Sequence, residues 1–132
     1  MNIEDCVSYP IALALKACGF DEPCIAQWSV EPDGKPMLLG STVFVFSNAE
    51  LKGRDVAAPL LYHAQKWLRK RAIEVDVNPI FSHGSRDGYD CDVYDDFSGH
   101  PAIRGTLPFA ETYEQALSAG LSAALELIKK RE

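Results

Sequence analysis

Two short segments that alternate strictly between apolar and polar residues most constrain what this chain can fold into. They are residues 73–78 (Ile-Glu-Val-Asp-Val-Asn) and residues 89–94 (Tyr-Asp-Cys-Asp-Val-Tyr). Because successive side chains of a strand point to opposite faces, this alternation predicts two half-buried strands. The glycine-containing segment 83–88 lies between them, so the pair predicts a β-hairpin.

The strongest helical periodicity follows Thr112, which has the spacing of a capping box with Gln115. The positions predicted to face inward are Tyr113, Leu117, Gly120, Leu121, Ala124, Leu125 and Ile128. Lys129, Lys130 and Arg131 close the segment with the charge that complements a helix dipole. These features predict a C-terminal helix.

The first half of the chain predicts one helix and a second hairpin. Ser8 can cap a helix over residues 9–18, which Gly19 ends. Residues 24–30 and 37–46 predict two strands, and the Pro-Asp-Gly turn within 31–35 joins them.

A middle helix is predicted to begin at Pro59, because proline favours the first helical turn. Its inward stripe comprises Leu60, Ala64, Trp67, Leu68 and Ala72. The predicted order is therefore α-β-β-α-β-β-α, an α+β fold with one four-stranded antiparallel sheet packed by helices. Residues 1–132 are expected to form a single domain.

Net charge and the distribution of apolar residues limit the classes of function that fit this chain. The chain has 132 residues and a formal net charge of -6, which argues against a general nucleic-acid binder. The chain contains no run of about 20 apolar residues, the length needed to span a bilayer. The start of the chain is acidic and lacks the basic and apolar segments of a secretion signal, so the cytoplasm is the expected compartment.

Four cysteines occur at positions 6, 18, 24 and 91, without a C-x-x-C pair. In a chain with no export signal, reduced thiols are expected rather than disulfides. Cys18 and Cys91 are expected to fill core positions as small hydrophobes.

Three stretches, taken together, resemble a family of small uncharacterised proteins of phages, prophages and other mobile elements of gut bacteria. The stretches are Gly19–Cys24, then Ala58-Pro59-Leu60 followed by Lys66-Trp67-Leu68-Arg69, and finally Thr112-Tyr113-Glu114 leading into Ala116-Leu117. The resemblance spans most of the chain in the same order. It implies a small accessory protein of the bacterial cytoplasm and brings no catalytic residues with it.

The second hairpin carries the candidate metal ligands. His83, Asp90 and Asp92 lead this set, because the two aspartates share a strand face and carboxylates with a histidine can hold Mg²⁺, Mn²⁺ or Ca²⁺. The neighbouring candidates are Asp87, Asp95, Asp96 and His100. The alternative is a solvated strand face whose charges discourage pairing with another sheet, and no metal or cofactor is expected.

Nucleophilic catalysis would need Cys91 paired with His83 or His100. The alternation, however, places Cys91 on the apolar strand face, which favours a buried and inert thiol. The sequence contains neither a Walker loop nor a G-x-G-x-x-G fingerprint that would predict phosphate binding. Whether the protein is an enzyme stays open, with a non-enzymatic role favoured.

A basic cluster and an apolar strand suggest two kinds of partner. Lys66, Arg69, Lys70 and Arg71 could contact nucleic acid, with Trp28, Phe44 and Tyr62 as stacking residues if these are exposed. In the strand 37–46, Phe44 and Phe46 occupy one face and Val43 and Val45 the other. An exposed apolar patch there would indicate an interface, so a module that binds a protein partner or itself is the first hypothesis. A nucleic-acid-associated accessory protein is the alternative.

Overall fold

The computed structural model describes residues 3–41, 43–82, 84–95, 100–104 and 110–131. In this part of the chain it shows an α+β fold with the helices α1 (Tyr9–Ala17), α2 (Leu61–Arg69) and α3 (Tyr113–Arg131). The strands are β1 (Ala26–Val30), β2 (Pro36–Gly40), β3 (Val56–Ala57), β4 (Glu74–Ser82) and β5 (Ser85–Tyr94).

The chain divides into two compact units, Met1–Leu61 and Tyr62–Glu132. The first unit contains α1 and a three-stranded antiparallel sheet in the order β2-β1-β3. The second unit contains the two-stranded antiparallel sheet β4-β5 and α3. The predicted four-stranded sheet is therefore not confirmed among the described residues, which form two sheets instead.

In the first unit, α1 begins where the sequence predicts. The Ser8 hydroxyl accepts a hydrogen bond from the Ile11 N–H at 3.4 Å, and Pro10 occupies the first turn. The buried face of the helix carries Ile11, Ala12 and Leu15. The indole Nε1 of Trp28 on β1 donates to the Val7 carbonyl at 2.9 Å, which fixes the segment before α1 against the sheet.

The second hairpin confirms the alternation. Val75 pairs with Val93 and Val77 with Cys91, so the apolar side chains line one face of the β4-β5 ladder. α3 packs against both strands, and Leu117, Leu121 and Leu125 are buried. On the other face Asp76 lies directly opposite Asp92. This is a like-charge pair, which destabilises a sheet unless solvent screens it.

Both ends of α2 differ from the prediction. α2 begins at Leu61 rather than Pro59, because Leu60 instead pairs with Cys6 in an isolated bridge. Ala72 does not belong to the inward stripe: it is exposed, lies after the helix, and adopts a left-handed φ of 66°. The Ile73 N–H returns to the Leu68 carbonyl at 3.0 Å, which closes the helix end before Ala72 can extend it.

The returning strand of the first hairpin is shorter than predicted. β2 ends at Gly40, and beyond the bond from the Ser41 N–H to the Ile25 carbonyl the next pairing among the described residues is that of Phe46 with Cys24. None of the described helices is long and apolar enough to cross a bilayer.

Candidate interaction surface

Six exposed apolar residues lie on β2, immediately before β1, and in the segment that follows β2. They are Ile25, Met37, Leu39, Val43, Phe44 and Val45, which we call the apolar surface. They make up more than half of the large hydrophobic residues that are exposed in the described part of the chain. Scattered exposed hydrophobics are ordinary, whereas a concentration of them on one element indicates an interface.

The outer face of the three-stranded sheet supplies half of this surface. Ala26 and Trp28 point inward and are buried, so the alternation of a strand sends Gln27 and Ser29 to the opposite face. Their partners across the ladder are Leu39 and Met37 respectively, which are exposed. The buried Oε1 of Gln27 has no hydrogen-bond partner among the described residues, so within that part of the chain this face holds an unsatisfied acceptor beside Leu39.

A loop supplies the other half. The Ser41 N–H donates to the Ile25 carbonyl at 2.8 Å, and the next pair in the ladder is Cys24 with Phe46. Ile25 and Cys24 are neighbours in the chain, whereas their partners Ser41 and Phe46 are five positions apart. Val43, Phe44 and Val45 therefore lie outside the ladder. The Ser41 hydroxyl accepts from the Val43 N–H at 3.1 Å and the Phe44 N–H at 3.0 Å, and this bends the chain away.

The apolar side chains of this loop are largely exposed to solvent. Val43, Phe44 and Val45 are 78%, 64% and 56% exposed. The stretch 36–49 around them is the longest in the sequence without an aspartate, glutamate, lysine or arginine. An uncharged apolar loop beside an apolar sheet face has the chemistry of the core of a protein–protein interface, from which charged residues are depleted.

The edge of β2 also offers backbone groups. The Glu31 N–H donates to the Lys35 carbonyl at one end of the hairpin, and Ser41 donates to Ile25 at the other. Because hydrogen-bonded and non-hydrogen-bonded pairs alternate in an antiparallel ladder, Met37 and Leu39 bond to β1. Leu38 and Gly40 therefore direct their N–H and C=O groups away from β1, toward the open side of the strand.

The candidate metal ligands do not form a site in the described residues. His83 and Asp96 lie outside the described residues. Asp90 accepts a hydrogen bond from its neighbour Cys91 N–H at 2.7 Å, and Asp92 accepts from the Asn78 amide at 3.4 Å. The described part of the chain brings together no group of three or more histidine, cysteine or carboxylate side chains suited to a metal ion.

Cys91 lies in the core, as the alternation predicts, with its side chain under α3. Burial, reinforced by the nearby Asp92 carboxylate, raises the pKa of its thiol to about 12. Burial and then Glu22 likewise raise the pKa of Cys24 to about 12. None of the four cysteines is in a disulfide, and Cys18 is half-buried at the C-terminal cap of α1 rather than in the core.

We expect Cys24 and Cys91 to resist alkylation in the folded protein, because only the thiolate is nucleophilic. At pH 8 their labelling by iodoacetamide should be at least about a hundredfold slower than in the urea-unfolded chain. Folding stability should also fall above about pH 9, because the unfolded thiols ionise near 9.0 while the folded ones keep their protons to about pH 12. Peptide-level mass spectrometry measures the labelling, and rapid labelling of Cys91 at pH 7 would revive the nucleophile hypothesis.

The basic cluster is exposed but partly engaged within its own unit. The Arg69 guanidinium makes two hydrogen bonds to the Glu74 carboxylate, at 2.8 and 3.1 Å. The Arg71 guanidinium lies 4.0 Å from the centre of the buried Trp67 ring. Lys66 and Lys70 are exposed without such a contact, and Tyr62 lies exposed one turn before Lys66 on the same helix.

Of the proposed stacking residues, Trp28 is buried, whereas Phe44 and Tyr62 are exposed. The apolar surface was only partly foreseen, since Met37, Leu39 and Ile25 were not predicted to be exposed. The charge-free stretch 36–49 is the signal that could have indicated it.

Comparisons with protein-family models, with curated proteins and with solved structures found no match.

Proposed function

We propose that this protein is a non-enzymatic interaction module that binds a protein partner, or a second copy of itself, through the apolar surface. The observation that supports the proposal is the exposure of Val43, Phe44 and Val45 beside the uncharged edge of β2. Their removal from water on binding would provide a favourable hydrophobic contribution of roughly 25 cal/mol per Å². The resemblance to proteins of phages and mobile elements extends the proposal to an accessory role in the bacterial cytoplasm.

The test is a tagged pull-down from bacterial lysate, read by mass spectrometry. We expect Leu39→Lys to reduce the captured partner at least tenfold, because a lysine there places a charge within an apolar contact. The matched control is Leu13→Lys on α1, since Leu13 is 42% exposed and Leu39 is 43% exposed in the same unit. Capture that is unchanged by Leu39→Lys would contradict the proposal.

Nucleic-acid association is the alternative, and it is supported by the exposed Tyr62, Lys66 and Lys70. The Lys70 N–H donates to the Lys66 carbonyl at 3.1 Å, so Lys70 continues the helical turn and follows Lys66 on one side. The same pull-down with nuclease added separates the two functions. Partners that vanish with nuclease, and also after charge reversal of Lys66, Arg69, Lys70 and Arg71 together, would establish the alternative.

A further inference from the structure

The sheet edges of the described residues differ in how they are protected. On the far side of the first sheet, the outward N–H of Ala57 on β3 donates to the Asn48 side chain at 2.8 Å. The edge of β5 is covered where Tyr89 pairs with Ala110 and Val93 with Ile103. Open edges are templates for pairing with another chain, and these two are closed by local contacts.

The edge of β4 is protected differently. The Gln65 side chain donates to the Val75 carbonyl at 2.7 Å, and the acidic Glu74 and Asp76 flank this point. Charge and a side-chain cap both discourage strand addition. β2 has neither a side-chain cap nor a charge. In the described residues no strand lies beside the outward backbone groups of Leu38 and Gly40, and the strand sequence Pro36–Gly40 is uncharged.

The absence of charge on this edge and its symmetry together favour a second copy of the chain as its occupant. The chain carries a net charge of -6, so a contact between two copies is favoured where neither copy presents a charge. Over the stretch 36–49, the longest in the sequence without a charged residue, two copies can meet without opposing like charges. The edge also matches itself, since an antiparallel pair of identical strands is related by a two-fold axis.

We propose that β2 pairs antiparallel with β2 of a second copy, joining two three-stranded sheets into one. This inference rests on the proposed function and names its partner. Leu38 and Gly40 of one copy exchange hydrogen bonds with Gly40 and Leu38 of the other, so every outward N–H of the strand is satisfied. Pro36, which has no N–H, marks one end of the pairing. Leu39 then lies directly opposite its own counterpart.

This register predicts a specific cross-link. Residues opposite each other in a non-hydrogen-bonded pair have Cβ atoms about 4.5–5.5 Å apart, close to the reach of a disulfide. Mild oxidation of Leu39→Cys should therefore give a covalent dimer in the folded protein. Leu13→Cys, equally exposed on α1, is the control and should give at least tenfold less.

The decisive measurement is the mass in light scattering across protein concentrations. We expect twice the chain's 14.5 kDa, returning to the single-chain mass in Gly40→Pro, which removes an outward N–H and leaves the bonds to β1 in place. Gly40→Ala keeps that N–H and should stay dimeric. Circular dichroism checks that each variant is folded, and Leu39→Lys serves as a second disrupting variant.

Each outcome bears on one of the two proposals. A single-chain mass at every concentration, or a dimer that survives both Gly40→Pro and Leu39→Lys, overturns pairing through β2. If the wild type is a monomer while Leu39→Lys still abolishes capture of a foreign protein, the proposed function stands and this inference fails. If the wild type is a monomer and captures nothing, both fail.

Discussion

Gly120→Ala should lower the free energy of unfolding by about 3 kcal/mol, the upper part of the range for overpacked cores. A Cβ at position 120 would lie 2.2 Å from the Cys91 Sγ and 2.6 Å from the Val75 Cγ1. Both distances are far inside van der Waals contact, and both neighbours belong to the strands that α3 covers. Because a packed interior cannot absorb such a contact, the helix must move off the hairpin.

Urea denaturation of the wild type and the variant measures this loss. Ser122→Ala is the matched control, since it introduces the same residue on the exposed side of the same helix and should be neutral or slightly stabilising. The second mutation Cys91→Ala removes the nearest atom and should recover part of the loss. In a double-mutant cycle the double variant should then lose less unfolding free energy than the sum of the losses in the two single variants. Equal stability of Gly120→Ala and Ser122→Ala would contradict the close packing.

Local signals made the helices predictable. The cap at Ser8 and the capping box of Thr112 with Gln115 are read from neighbouring residues, and both form: the Gln115 N–H donates to the Thr112 hydroxyl at 3.1 Å. Gly120 was correctly placed on the inward face of α3. Its spacing could not show how close the helix comes to Cys91, because that distance depends on residues far apart in the sequence.

β3 illustrates what local signals cannot provide. Val56–Ala57 is too short for any alternation, and its pairing depends on Gln27 and Trp28, distant in sequence. Strand propensity likewise predicted residues 37–46 as one strand, since branched and aromatic residues favour strands. The hydroxyl of Ser41 and the pairing of Phe46 with Cys24 override that preference.

The candidate surface was harder to predict than the fold. Phe44 and Val45 have the composition of a core strand, and exposure depends on which elements cover them. The acidic face of the second hairpin, by contrast, can be predicted from the sequence, because Asp90 and Asp92 alternate with buried residues. The charge-free stretch 36–49 can therefore mark a candidate segment, but the tertiary structure decides which of its apolar residues are exposed.

Asn48 is one of two polar residues that are buried in the described part of the chain, the other being its neighbour Ser47. Its amide Nδ2 donates to the Phe20 carbonyl at 2.7 Å, and its Oδ1 accepts from the Ala57 N–H at 2.8 Å. The Asn48 side chain thus satisfies the backbone N–H of β3 that a neighbouring strand would otherwise satisfy. It also links β3 by hydrogen bonds to the connection after α1. The Ala49 N–H adds a bond to the Asp21 carboxylate at 2.7 Å beside it.

Asn48→Ala should therefore cost about 3 kcal/mol of unfolding free energy, because it removes two hydrogen bonds to buried backbone groups, one of which satisfies the Ala57 N–H. Asn78→Ala is the control, since Asn78 is only half-buried and makes a single longer bond of 3.4 Å to Asp92; we expect a loss below about 1 kcal/mol there. Chemical denaturation gives both values. Hydrogen exchange should localise the effect, with the Ala57 amide losing its protection in Asn48→Ala. If that amide stays protected, the bond to Asn48 does not hold β3 in place.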